Sequence, residues 1–392
     1  MDFDAPIDRH NTYSNKWDDM EAIYGVPSEG GLAMWVADTD FRSPDCIQDA
    51  VRKMLDHGVY GYTDRKSDDS YRAAICWWMQ SRHNWTVDPN AIFTATGLGN
   101  GVGMVLDAFT EKGDGVVLFT PVYHSFARIT RASGRNVVEC PMVIESGRYK
   151  MDFDAYDDIL DGSEKIVIFC SPHNPGGTVW TVEEQQQLVA FCRKHELLLV
   201  SDEIHHDLVF DDAKHVPMPI AAPDCEDILI MLTAPSKTFN IAGTHTGNII
   251  IHDETLRARL KDRFLATNLS TNSFGVAMTT AAYSPEGAAW VDRLVPYLNE
   301  NRKTLENGLA AIPGVSPMVL QATYLSWVDF SGTGMTNAEI KARVFGQAKI
   351  AANFGESFGS GGEQFLRFNL GTTRANIVEA VSRLQDAFSD LQ

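Results

Sequence analysis

The sequence lacks a long apolar run, a paired cysteine motif and an excess of basic charge. Its apolar runs fall short of the ~18 residues that a membrane-spanning helix needs, so no such helix is predicted. The six cysteines form no C-x-x-C pair and have no histidines at zinc-ligand spacing, which predicts reduced thiols in a cytoplasmic protein. The first residues contain neither a basic region nor an apolar region, so we expect no secretory signal.

The charge balance is acidic, with 52 Asp and Glu residues against 33 Lys and Arg residues and a net charge of −19. An acidic surface repels phosphate backbones and anionic lipids, so we expect neither nucleic acid nor a membrane as a partner. Of the 392 residues, 44% are hydrophobic, and neither an internal repeat nor a low-complexity linker interrupts them. Such a chain has room for a large core and for more than one compact unit.

Short aliphatic runs alternate with amphipathic stretches through the middle of the chain. The segment 181–195 has apolar residues at helical spacing, and Thr181 with Glu184 forms a capping box. Apolar strands separated by helices predict an α/β fold with a largely parallel sheet that is covered on both faces. The predicted strands are 116–119, 166–169, 197–200, 228–232 and 247–251.

The C-terminal part has an α+β pattern, which predicts a second, smaller domain. Its first helix, 290–312, contains Pro296, where we expect a kink or a division into two helices. The later predicted elements are a strand at 322–330, a helix at 337–347, a strand at 364–371 and a helix at 375–390. The predicted units are an N-terminal segment 1–45 that packs on the small domain or on a partner subunit, a large domain 46–286 and a small domain 287–392.

A polar or aromatic side chain follows each of four predicted strands. These residues are, in chain order, Tyr123, Asn174, Asp202 and Lys237. Ligands of open parallel sheets bind beyond the carboxyl ends of the strands, so the four side chains are expected to meet. Each of these residues alone is explained by packing, by a cap or by a turn. Four such residues, each following a predicted strand, predict a binding site.

The stretch 94–109 is a Gly-rich turn that leads into a helical pattern. Such a turn suits a phosphate, although its spacing matches neither a Walker A loop nor a G-x-G-x-x-G fingerprint, and a flexible loop explains it equally well. A phosphate site beside an aromatic ring, an aspartate and a lysine is what pyridoxal 5′-phosphate (PLP) requires. The lysine forms a Schiff base with its aldehyde, and the carboxylate keeps its ring nitrogen protonated. In such a site the pKa of Lys237 is expected to fall, which makes it a base near neutral pH.

His205, His206 and His215 are candidate metal ligands. Adjacent residues on a strand point to opposite faces, so His205 and His206 are not expected to share one ion. The sequence therefore predicts no metal site.

Motifs along nearly the whole chain resemble one family, the MalY/PatB-type cystathionine β-lyases (C–S lyases) of the class I/II aminotransferase group. The most specific are "SPHNPGGTVWT" (171–181) and "APSKTFNIAG" (234–243). The others are 8–18, 35–41, 57–63, 120–126, 201–210, 322–330 and 365–374. The resemblance implies the fold-type I PLP-transferase fold, with a mostly parallel seven-stranded sheet in the large domain and a smaller α+β C-terminal domain.

The resemblance also implies a role for each candidate residue. Lys237 would carry the cofactor and act as the catalytic base, Tyr123 would stack on its ring as a second catalytic residue, and Asp202 would pair with its ring nitrogen. The other implied cofactor contacts are Gly97, Leu98, Gly99 and Ser236 at the phosphate, Asn174 and His205 near the ring hydroxyl, and Tyr62 from a neighbouring subunit. The implied substrate contacts are Arg367, Asn174 and Ala37, with Arg367 holding the α-carboxylate.

Two of these residues have a structural explanation that needs no cofactor or substrate. The proposed reaction also has two alternatives. Without the resemblance, Arg367 is explained by a surface salt bridge and Tyr62 by packing. The resemblance implies a homodimer with shared active sites that cleaves L-cystathionine or related thioethers to homocysteine, pyruvate and ammonia. The same residues would serve an aminotransferase. The third alternative is a PLP-fold protein with an additional regulatory binding role.

Overall fold

The structure, a computed structural model, describes residues 2–63, 65–211, 213–270 and 272–391. Its strands are β1 Leu32–Ala33, β2 Ile92–Ala95, β3 Gly115–Thr120, β4 Asn136–Pro141, β5 Val143–Glu145, β6 Arg148–Lys150, β7 Glu164–Cys170, β8 Leu198–Asp202, β9 Leu229–Thr233, β10 Gly247–Ile250, β11 Ser316–Pro317, β12 Leu325–Asp329, β13 Ile350–Ala351, β14 Asn353–Phe354 and β15 Phe365–Asn369.

The helices alternate with these strands through the first two thirds of the chain. They are α1 Asn15–Asp18, α2 Met20–Tyr24, α3 Asp45–His57, α4 Arg65–His83, α5 Leu98–Phe109, α6 Ser125–Ala132, α7 Phe153–Asp157, α8 Val182–Lys194, α9 Met218–Ala221, α10 Glu254–Thr267, α11 Ser273–Ala282, α12 Pro285–Leu309, α13 Asn337–Lys341 and α14 Arg374–Ala387. Within the described ranges, none of the helices has the length and apolar character needed to cross a membrane.

A seven-stranded sheet forms the centre of the fold, in the order β2-β10-β9-β8-β7-β3-β4. All neighbouring pairs are parallel except the two that β10 makes, so the prediction of a largely parallel sheet is confirmed. From β3 the chain continues outward to β4, whereas from β7 it continues the other way to β8 and β9. The boundary between β3 and β7 is therefore a topological switch point, where open α/β sheets bind their ligands.

Alternate residues of the central strands enter two separate apolar cores. In β7, Val167 and Phe169 join one core, while Ile166 and Ile168 join the other. Side chains of a strand point alternately to its two faces, so both faces of this sheet are covered by apolar residues. This double burial explains why the strands read as continuous aliphatic runs.

Helix α8 begins and ends within one residue of the predicted segment. The Thr181 side chain accepts a hydrogen bond from the Glu184 amide at 3.1 Å, and the Glu184 carboxylate accepts one from the Thr181 amide at 2.8 Å. The predicted capping box is therefore confirmed. It satisfies two amide groups that the first turn of a helix leaves without partners.

Helix α12 runs through Pro296 without dividing, and it begins five residues before the predicted start, at Pro285. Proline at the first position costs a helix nothing, since that amide has no partner in the helix, and Ser284 caps the turn. Proline inside a helix costs about 3 kcal/mol. Burial of Trp290, Leu294 and Leu298 on the same helix offsets that cost.

The C-terminal part contains an antiparallel sheet in the order β11-β12-β15-β14. The first residues of the chain lie against this part: β1 pairs with β13, and the Phe3 ring contacts the Trp290 ring edge-on at 5.8 Å. Helix α13 continues as a π-helix over Ala342–Gln347. The division at residues 45 and 286 stays a prediction.

Candidate active site

A cavity of about 280 Å³ lies at the carboxyl ends of the central strands. Most of the predicted site residues line it: Ala37, Gly97, Leu98, Gly99, Tyr123, Asn174, Asp202, His205, Ser236 and Lys237. The pairing register explains this, because Cys170 at the end of β7 lies opposite Asp202 at the end of β8, and Asp202 lies opposite Leu232 near the end of β9. The turns after these strands therefore start at the same level of the sheet.

Lys237 lies in the turn that follows β9. Its Nζ donates a hydrogen bond to the carbonyl oxygen of Ala37 at 2.6 Å, and the Tyr324 hydroxyl donates to the same oxygen at 3.0 Å. Burial, helped by the Arg367 charge and partly offset by Asp38 and Asp202, lowers the pKa of Lys237 to about 8. A lysine with this pKa carries a usable fraction of free amine near neutral pH.

Asp202 ends strand β8 and is 5% exposed. One carboxylate oxygen accepts a hydrogen bond from the Ile204 amide at 3.2 Å. Burial raises the pKa of Asp202 to about 7, and neither this hydrogen bond nor the charge of Lys237 cancels the effect. A carboxylate in this setting is stabilised by a cation that enters the cavity.

Arg367 comes from the antiparallel sheet and is 2% exposed. Its Nη1 donates to the Asn174 side-chain oxygen at 2.9 Å, and its Nη2 donates to the carbonyl of Trp35 at 2.8 Å and to the side-chain oxygen of Asn353 at 2.6 Å. These acceptors are all neutral. Because Arg367 contacts Asn174, which lines the cavity, its side chain lies beside the cavity. The side chain is also buried, so the alternative of a surface salt bridge is wrong.

The charge of Arg367 stays available for an anionic ligand. Burial lowers its pKa to about 10, so the guanidinium remains protonated at neutral pH. Its Nε has no hydrogen-bond partner within the described residues, and the guanidinium lies 5.0 Å from the centre of the Phe358 ring. A planar guanidinium binds a carboxylate with two parallel hydrogen bonds, which fits this arrangement.

The Gly-rich turn forms the open N-terminus of helix α5. Gly97 precedes the helix with φ of 84°, in the left-handed region that favours glycine, and no side chain caps the turn. A Cβ at Gly97 would find ordinary space, 3.8 Å from His245, so the backbone conformation rather than crowding requires glycine. The free amides and helix dipole suit a phosphate, and Ser236 lines the same cavity.

Tyr123 and His205 line the cavity with rings. Tyr123 packs edge-on against Phe126, with ring centres 5.4 Å apart. His205 is 2% exposed, and burial holds its pKa well below the ordinary value, so its imidazole is neutral. Its Nδ1 has no hydrogen-bond partner within the described part of the chain.

Tyr62 is fully exposed and does not line the cavity of the single chain. Its predicted contact with a cofactor across a subunit boundary stays a prediction. Sequence reasoning missed several lining residues because nothing in the sequence shows that they face this cavity. These are Thr96, Asn100, Phe126, Ile129, Cys170, Ile204, Ala242, His245 and Thr246.

The segment 36–40, which carries the Ala37 carbonyl, is held by ion pairs with the N-terminal segment. Arg9 contacts Asp38 and Asp40 at 2.9 Å each, and the fully buried Lys16 contacts Asp40 at 3.0 Å. All of these residues lie in two of the motifs that carry the family resemblance, 8–18 and 35–41. The contact between the two motifs was not predicted, since nothing in a sequence shows which of its charges pair.

Comparison with known proteins identifies the family that has this fold and this site. The family model "Aminotransferase class I and II" matches residues 35–384, so the chain belongs to that family. It is 39% identical to the cystathionine β-lyase PatB of Bacillus subtilis, over 99% of this chain and 100% of that one. It is 31% identical to the protein MalY of Escherichia coli, over 99% and 98% of the two chains. Within the family, the chain therefore belongs to the PatB/MalY type, and the prediction from the motifs is confirmed.

Solved structures agree with this assignment. Cystalysin from Treponema denticola, which contains pyridoxal 5′-phosphate, superposes with a TM-score of 0.94 at 32% identity and covers 100% of this chain and 99% of its own. The PLP-bound C–S lyase from Staphylococcus hominis superposes with a TM-score of 0.91 at 28% identity, over 99% and 98% of the two chains. The predicted fold-type I fold is thus confirmed.

Proposed function

We propose that the chain is a PLP-dependent carbon–sulfur β-lyase that cleaves L-cystathionine or a related cysteine thioether to a thiol, pyruvate and ammonia. The observation that carries this is one cavity lined by Lys237 and Asp202 and bordered by Arg367, in a chain 39% identical to a cystathionine β-lyase over its full length. Relatives named as lyases favour β-elimination over the aminotransferase alternative. A regulatory binding role stays a hypothesis.

The residues of the cavity fit the cofactor. A carboxylate 5% exposed suits a cationic ring nitrogen, a lysine with a pKa of about 8 suits an aldehyde, and the amides after Gly97 suit a phosphate. Tyr123 offers its ring as a stacking surface, and Ser236 offers a hydroxyl to the phosphate. When bound, PLP supplies an electron sink that stabilises negative charge at the substrate Cα.

The side chains then divide the work on the substrate. Arg367 and Asn174 bind the α-carboxylate, and this contact orients the Cα–H bond towards Lys237. The Nζ of Lys237 takes the Cα proton and is released from the Ala37 carbonyl to do so. Loss of the thiolate from the β-carbon completes the elimination, and the thiolate takes up a proton. The released 2-aminoacrylate reacts with water to give pyruvate and ammonia, so no amino-group acceptor is consumed.

A homodimer with shared active sites is part of the proposal. An exposed apolar group at the end of α3 and the segment after it supports an interface: Leu55, Val59, Tyr60 and Tyr62. The expected mass in solution is that of two chains, and a single-chain mass in analytical ultracentrifugation would contradict the dimer. Location in the cytoplasm stays a prediction.

The test of the reaction is incubation of purified holoenzyme with L-cystathionine in the absence of any 2-oxo acid. We expect pyruvate and homocysteine in equal amounts, measured by lactate dehydrogenase coupling and by mass spectrometry of the thiol. Cleavage on the other side of the sulfur would instead give cysteine and 2-oxobutyrate, which the same mass spectrum distinguishes. Strict dependence of turnover on 2-oxoglutarate or pyruvate as acceptor would identify an aminotransferase and reject the lyase.

The Asp202→Asn variant is expected to stabilise the protein prepared without cofactor. Because burial raises the pKa of Asp202 to about 7, the native state holds this proton more tightly than the unfolded chain. The group therefore contributes stability below about pH 4, and this contribution is lost as the pH rises through 7. Asparagine stays neutral at every pH. The free energy of unfolding of the variant should therefore exceed that of the wild type by up to about 4 kcal/mol at pH 8, and the difference should vanish near pH 4.

Urea unfolding of both proteins from pH 4 to pH 8 measures this difference. Asp262→Asn, on the exposed face of α10, is the matched control and should leave the pH profile unchanged. The same D202N variant should lose lyase activity, since the ring nitrogen loses its charged partner. An apoprotein that asparagine destabilises at pH 8 would show that Asp202 does not carry a burial penalty.

A further inference from the structure

A second cluster of ionisable side chains lies on the far side of the turn that follows β8. His205 faces the cavity of Lys237, whereas His206 and Asp207 line a separate cavity of about 390 Å³. The His206 amide donates to the Glu203 carbonyl at 3.1 Å and closes a turn there. Strand alternation therefore ends at Asp202, and His206 and Asp207 share one side.

Helix α4 adds its last residue, His83, to the same cluster. His83 Nε2 lies 2.8 Å from one carboxylate oxygen of Asp207, and His206 Nε2 lies 3.5 Å from the other. One ligand atom from each of the three residues lies within 4.8 Å of the other two. Zinc takes histidine nitrogen at about 2.0–2.1 Å and carboxylate oxygen at about 2.0–2.2 Å, so small side-chain movements bring all three onto one ion.

The hydrogen bonding around the cluster is incomplete where an ion would bind. His206 is 2% exposed, and apart from the 3.5 Å contact with Asp207 its Nε2 has no partner among the described residues. His215 contacts Glu203 through Nε2 at 2.7 Å, and its Nδ1 has no hydrogen-bond partner in the same described ranges. Buried polar atoms without partners are rare in folded proteins and call for an explanation.

The surroundings hold these ligands as an outer shell holds a metal site. Asp207 accepts hydrogen bonds from Trp78 Nε1 at 3.0 Å and from the Thr238 hydroxyl at 2.8 Å, which fix its carboxylate. The Glu203–His215 pair has the carboxylate–histidine form that orients imidazoles near metals. Exposed Asn84 and Lys214 line the same cavity, so an ion enters it from solvent.

We propose that His83, His206 and Asp207 form a binding site for one divalent transition-metal ion of the zinc class. Water from the open side of the cavity is the source of a fourth ligand. The ion ties the end of α4 to the turn after β8. Through Asp207 and Thr238 it also braces the turn that carries Lys237. Its role is structural, since His205 and Lys237 face the other cavity.

The test uses untagged holoenzyme that has been treated with a chelator and then titrated with Zn²⁺ by isothermal calorimetry. We expect one equivalent to bind and to raise the melting temperature, because a ligand bound only by the native state stabilises it. His206→Asn and His83→Asn should each weaken binding by about 100-fold or more, since each removes a direct ligand. His195→Asn is the matched control, because His195 pairs with Asp157 away from the cluster.

A second measurement does not depend on the folding of the variants. The Co²⁺-substituted wild type should show nitrogen and oxygen ligands by X-ray absorption, with two imidazoles or more. Sulfur ligands would place the ion at cysteines and overturn the proposal. Unchanged zinc affinity in both histidine variants, or no stoichiometric binding by the wild type, would also overturn it, leaving a buried His206–Asp207 ion pair.

Discussion

The Lys237→Ala variant should make no detectable pyruvate from L-cystathionine, and the purified protein should lack the absorbance of lysine-bound PLP at about 420 nm. Two losses combine in this variant. The amine that binds the aldehyde is gone, and so is the base that takes the Cα proton. Removal of the base alone costs about 10²–10⁴-fold in rate, so we expect activity to fall by more than about 1,000-fold.

The structure explains why no neighbour replaces this lysine. Its Nζ donates to the Ala37 carbonyl, and the His205 ring, which lines the same cavity, is a weak base because burial holds its pKa well below the ordinary value. Lys261→Ala, on the exposed face of α10, is the matched control and should keep full activity and the absorbance band. Activity retained in a folded K237A protein would assign the base to another residue and refute the proposed site.

The Arg367→Lys variant should lose roughly 100- to 1,000-fold in kcat/KM, since a buried hydrogen-bonded charge pair costs about 2–5 kcal/mol to disrupt. Lysine keeps the positive charge but not the planar fork that binds a carboxylate through two hydrogen bonds. It also leaves neutral oxygens of Asn174, Trp35 and Asn353 with fewer donors. The loss should appear mainly as a higher KM.

A matched pair of ligands separates carboxylate binding from a general disturbance of the site. L-Alanine and ethylamine differ by the carboxylate alone, and their binding is read from the cofactor spectrum. The wild type should prefer L-alanine, whereas R367K should lose that preference and bind ethylamine unchanged. Arg52→Lys, on the exposed face of α3, should behave as the wild type. Equal losses for both ligands would show that Arg367 supports the fold instead of the carboxylate.

Much of the fold was predictable because local patterns specify local structure. The aliphatic runs became strands of the central sheet, and Thr181 with Glu184 fixed the start of α8. Pro296 was misleading in part, because the helix does not divide there and packing of the same helix offsets the cost of the proline, while the kink stays a prediction. The antiparallel direction of β10 was also beyond reach, since its apolar run looks like those of the parallel strands.

The site was predictable to the extent that its residues follow strands. Tyr123, Asn174, Asp202 and Lys237 were found together because parallel strands end at one edge of a sheet. The expectation that His205 and His206 do not share one ion agrees with the structure, since the two histidines line different cavities. Sequence reasoning did not connect His206 with Asp207, because nothing in the sequence shows which side chains of a turn lie together. His83 lies more than 100 residues away in the chain, and no spacing connects it to that turn.

The sequence by itself determined the family, most strands of the central sheet and the residues proposed to carry the chemistry, because motif and periodicity are local properties. Only the tertiary structure decided how those residues behave. Burial, which depends on everything packed around a group, lowers the pKa of Lys237 to about 8 and raises that of Asp202 to about 7. The fold also surrounds Arg367 with neutral acceptors, and it brings His83 from a distant part of the chain to His206 and Asp207. Long-range proximity and desolvation have no signature in a sequence, and at this site they set the charge of each functional group.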